Sequence, residues 1–127
     1  MQITLTIARM LVRITGVLAL ILGLLFWGGS ALSLIPLHML LGLLLVLSLW
    51  LLAVLAVQAG VPIGMAAGAA LVGLLALLLG VTQDSLLPGG AHWVIQVLHL
   101  LLGMAAVASG EMIGGRLRRM RLAASAA

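Results

Sequence analysis

Apolar residues along this chain do not alternate with polar ones; they run on. Four stretches of roughly 20 residues each carry almost no charge, and short breaks rich in Gly, Pro and Ser separate them. A helix of about that length spans the hydrocarbon core of a bilayer. The first stretch covers about 10–27, with room to begin a turn or two earlier, and stops at Gly28-Gly29-Ser30. The second covers 35–57, with Ser33 as the expected N-cap and Pro36 in the first turn, where a missing N–H does no harm. The third covers 61–81, after Gln58-Ala59-Gly60, and the fourth covers 91–115, after Pro88-Gly89-Gly90. A basic tail, 116–127, follows. Short connections make consecutive helices antiparallel neighbours. The expected fold is all-α: one membrane domain, 1–127, built as a four-transmembrane-helix antiparallel bundle.

Composition agrees with that pattern and narrows the chemistry. Of 127 residues, 65% are hydrophobic and 6% charged, which leaves too little polar surface to cover a soluble domain. The absence of cysteine excludes disulfides, thiolate catalysis and Cys-ligated metal clusters. The net charge of +4 points to topology and not to nucleic acid, because the arginines gather at the two ends of the chain. Arg9 and Arg13 lie at the start of helix one and four more arginines follow helix four, while the loops at 28–35 and 82–91 have no Arg or Lys. The positive-inside rule then places both termini in the cytoplasm of a cell whose inner (plasma) membrane holds the chain. Trp27 and Trp93 fall at the outer interface. The N-terminal segment through Ala31 also has the outline of a signal peptide, but its apolar core is long for one, and helix one is read as retained.

The two halves of the chain resemble each other. Residues 16–23 read GVLALILG and residues 73–80 read GLLALLLG, six of eight identical at an offset of 57. His38-Met-Leu-Leu-Gly42 and His99-Leu-Leu-Leu-Gly103 match at an offset of 61. Leucine-rich helices match cheaply, so the glycines and histidines carry the comparison. It implies a tandem two-helix repeat about a pseudo-twofold axis along the membrane normal, in which helices two and four are equivalent.

That equivalence matters because ionisable residues inside a membrane are costly and usually functional. Depth can be measured back from the cytoplasmic helix ends, from Arg116 to His99 and from Gln58 to His38. At a rise of about 1.5 Å per residue the two depths differ by about 4.5 Å, within ordinary helix tilt. His92 lies about 10 Å above His99 and close to the interface. Gly42 and Gly103 each lie one turn below a histidine on the same face, which leaves room beside the imidazole. On helix four the stripe continues as His92, Gln96, His99, Gly103, Ala106, Gly110 and Gly114. Small residues alone also suit close helix packing. Two imidazoles on facing helices suit the axial positions of haem iron, which then has no open site and favours electron transfer. Zinc wants four ligands, and only His92 can be added to the pair. A chlorophyll-type pigment needs just one. Each ligating ring is expected to donate its other N–H to a carbonyl one turn back, Leu34 or Ile95.

Four antiparallel helices with histidines on two of them resemble the small transmembrane b-type cytochromes and the haem-bearing anchors of respiratory enzymes. The likeness spans roughly residues 10–115 and is one of pattern. It implies haem b held by His38 and His99 beside Gly42 and Gly103, with electrons passing between a quinone or enzyme partner and an acceptor near the outer face. The chain departs from such proteins in having no outer Arg or Lys for the haem propionates, which would face water, His92, Gln96 or backbone amides. Alternatives from other classes are a haem-free structural or accessory subunit of a larger membrane complex, and a pigment-binding subunit.

The remaining polar residues have simpler expectations. Glu111 is within reach of Arg9 or Arg13 as an interfacial ion pair, and a quinone or proton site is its sharper alternative. Trp50 is a packing or lipid-facing residue, Asp84 is solvated, and Gly60, Gly64 and Gly68 form a small-residue packing face. No nucleophile–base pair, phosphate loop or other hydrolytic machinery is present.

Overall fold

The structure is a computed structural model and describes residues 2–126. Its long helices are α1 (Gln2–Trp27), α2 (Ile35–Gln58), α3 (Ile63–Thr82) and α4 (His92–Ala126), with 3-10 turns at Leu32–Leu34 and Gln83–Ser85. No strand occurs among the described residues. All four helices are long and apolar enough to cross a membrane. Two of the breaks are helix-capping motifs built on a glycine with positive φ. At the end of α1, Gly29 (φ 74°) lets Ser30 N–H donate to the Leu25 carbonyl at 2.8 Å. At the end of α2, Gly60 (φ 82°) lets Val61 N–H donate to the Ala56 carbonyl at 2.9 Å.

α1 begins at Gln2, about two turns before residue 10 and within the room allowed for it, because Leu5 and Ala8 join the core. Two local expectations need correction. The basic tail is a continuation of α4 and not a separate segment. Arg, Leu, Met and Ala are good helix formers, and Leu117, 1% exposed, pins the extension to the bundle. Ser33 does not cap α2: it lies in the 3-10 turn, and Leu34 takes the cap position without a side-chain hydrogen bond, with Pro36 in the first turn as expected.

α2 and α4 touch along the centre of the bundle, and α1 and α3 each pack against both of them. This arrangement has the twofold character of the sequence repeat. A Cβ added to Gly16 would strike Val107, and one added to Gly73 would meet Val46 at 3.3 Å. Val46 and Val107 are themselves related by the offset of 61. The cross-links between hairpins obey the same relation. Arg13 donates to Glu111, and at the corresponding pair Trp50 Nε1 donates to the Ala70 carbonyl at 3.1 Å. Trp50 is therefore a packing residue.

The core is concentrated toward the end that carries both termini. Val12, Leu49, Leu52, Ile113 and Leu117 are its largest fully enclosed side chains. At the opposite end no residue of 35–44 is buried, so the bundle is less tightly closed there. Leucines and isoleucines cover its outer surface, which suits hydrocarbon as solvent. Trp27 and Trp93 are exposed at the less tightly closed end. Gly64 and Gly68 are also exposed, with no atom near a Cβ built on either, so they do not serve packing within this bundle.

Candidate functional site

His38 and His99 face each other across the α2–α4 contact. Their ring centroids are 6.1 Å apart and the ring planes cross at 62°. Twofold symmetry relates α2 to α4, so this pair straddles the pseudo-axis itself. Each ring rests against the other helix of its own hairpin. The Cε1 edge of His38 lies 3.5 Å from the Cβ position of Gly23, and that of His99 lies 2.9 Å from that of Gly80. These are the last glycines of the two repeated octapeptides.

The glycine does more than make room. A helical carbonyl is flanked by the side chain four residues on, so a glycine there uncovers it. The Ala19 carbonyl lies beside the His38 ring and the Ala76 carbonyl beside the His99 ring. Neither completes a hydrogen bond to Nδ1, which in both rings is enclosed and without a partner. The expected partners, Leu34 and Ile95, do not accept from the rings either. A histidine at 38 or 99 points across the interface, and i−4 on its own helix lies behind it.

Other candidate residues fall into two groups. Gly42 and Gly103 lie one turn below the histidines, half-buried, with no atom within 4 Å of a Cβ built on either. They leave open space beside the pair but do not touch the rings. His92 is not part of the pair: its Nδ1 is 3.1 Å from the Leu86 carbonyl in the preceding loop. Gln96 is half-buried on the same helix. Among the described residues no three His, Cys, Asp or Glu side chains converge as a metal cluster, so the pair stands as a two-donor site.

Sequence reasoning missed Phe26, whose ring packs edge-on to His38 at 5.4 Å between centroids. It is the only phenylalanine in the chain and lies nearly one turn after Gly23. Its counterpart in the second repeat is Gln83, so the two histidines differ in their outer neighbours. The chain matches no family model, no curated protein and no solved structure.

Proposed function

We propose that the chain is a membrane-embedded b-type haem protein that carries electrons, in which His38 and His99 would hold the haem iron. The carrying observation is the 6.1 Å separation of the two ring centroids. A metal–imidazole bond is about 2 Å long, so two rings sharing one ion have centroids roughly 6 Å apart. The donor set agrees: two imidazoles on separate helices whose enclosed Nδ1 atoms have no protein partner, with open space one turn below them at Gly42 and Gly103. A haem held by these two residues would supply one-electron chemistry. The protein's part is to fix both imidazoles in apolar surroundings, with Phe26 against one of them. Propionates would lie toward the loops near Gln96 and His92. On this reading the bundle sits in the inner membrane with both termini cytoplasmic, and its partners are a quinone or a larger membrane complex.

A second reading draws on the notches at Gly23 and Gly80. Small residues that receive a side chain are also what helix packing alone produces, and a haem-free accessory subunit would need nothing more. A reduced-minus-oxidised visible spectrum of the purified protein, made with ample haem supply, separates the two. The cytochrome gives a low-spin haem spectrum that His38→Ala and His99→Ala each abolish and His92→Ala retains. A colourless wild-type protein overturns it in favour of the accessory subunit.

A further inference from the structure

A second polar site lies at the other end of the bundle, independent of the histidines. The first turns of α1 and the last turns of α4 border a cleft of about 340 Å³. Arg9, Arg13, Arg118 and Arg121 line it, and among the described residues no acidic side chain does. Glu111, the carboxylate that these arginines reach, is already engaged: it accepts from Arg13 Nε at 2.6 Å and Nη2 at 2.7 Å, and from Arg9 Nη2 at 3.4 Å. One carboxylate therefore serves two of the four guanidinium groups. Of the two that Glu111 serves, Arg9 is the more weakly held. Its stem crosses α4 directly over Gly114, where a Cβ would collide with it, and its Nε is enclosed without an acceptor.

From this geometry we infer that the cleft binds the phosphate of an anionic phospholipid headgroup. Four like charges around one concavity repel each other and are stabilised by an anion between them. Guanidinium forks match the paired oxygens of a phosphate. The rim favours lipid over a free ion. Met10 and Leu122 stand exposed beside the arginines, 53% and 58% accessible, and offer acyl chains an apolar surface where the helices pass from apolar to charged sequence. Basic pockets between transmembrane helices at that level take lipid headgroups.

The test titrates the full chain in neutral detergent with phosphatidylglycerol, phosphatidylcholine or inorganic phosphate, and reads bound mass by native mass spectrometry. The expected result is retention of phosphatidylglycerol, no retention of phosphatidylcholine, and no displacement by millimolar phosphate. Arg118→Gln with Arg121→Gln should weaken phosphatidylglycerol binding by about tenfold. Arg116→Gln with Arg119→Gln removes the same charge from the same helix, outside the cleft, and should weaken it by less than about twofold. Neither double variant removes a core side chain. Equal losses in the two would overturn the site in favour of diffuse attraction, as would equal retention of both lipids. Displacement by inorganic phosphate would overturn the lipid assignment.

Discussion

His99 reaches α3 because residue 80 has no side chain. The clearance there, 2.9 Å to the Cβ position, is tighter than the 3.5 Å at Gly23 beside His38. The two glycines are equivalent in the repeat, yet they should respond differently to a methyl group. Gly80→Ala forces the His99 ring to move, at a cost of about 1 kcal/mol because the ring is a movable end. Gly23→Ala makes an ordinary contact. In an NMR spectrum of the side chains, the His99 resonances should shift in the first variant, and those of His38 should hold in the second. Equal and small shifts in both would show that the His99 notch is not tight.

At the scale of elements, α4 is the helix whose extent exceeds the apolar pattern. Its last three turns carry four arginines, but Leu117 faces inward among Leu5 and its neighbours in the core. In a lipid solvent the transfer term for an apolar side chain largely vanishes, and the cost of truncation is mainly the cavity. Leu117→Ala should therefore destabilise the bundle by about 1–2 kcal/mol. Leu122→Ala, at a side chain 58% exposed, should cost less than about 0.5 kcal/mol. Thermal unfolding in detergent measures both. A Leu117→Ala value as small as that of Leu122→Ala would mean that the extension is not docked.

At the scale of the whole molecule, the twofold relation explains why two polar links of different chemistry occur at matching positions. Arg13 with Glu111 fastens α1 to α4, and Trp50 with the Ala70 carbonyl fastens α2 to α3. Both lie on the termini side of the histidine pair, so one end of the bundle is fastened and the other is more open. The absence of cysteine makes its orientation directly testable. Single cysteines at Ser30 and Ser85 should react with an impermeant thiol reagent added outside intact cells, and one at Ser125 should react only after lysis. The inverse pattern would reverse the proposed orientation.

Four helices, their breaks and the repeat were legible in the chain because a bilayer imposes length and uniform apolarity on anything that crosses it. The histidine pair was legible too, since depth follows from residue count at constant rise. Which glycines serve the histidines was not. Spacing along one helix pointed to Gly42 and Gly103, one turn below, whereas the contacts fall on Gly23 and Gly80 of the flanking helices. Phe26 beside His38 and the arginine cleft between the first and last turns were hidden for the same reason. Periodicity reports which residues share a face of one helix, but the rotation and closeness of two helices are decided by packing between side chains far apart in sequence.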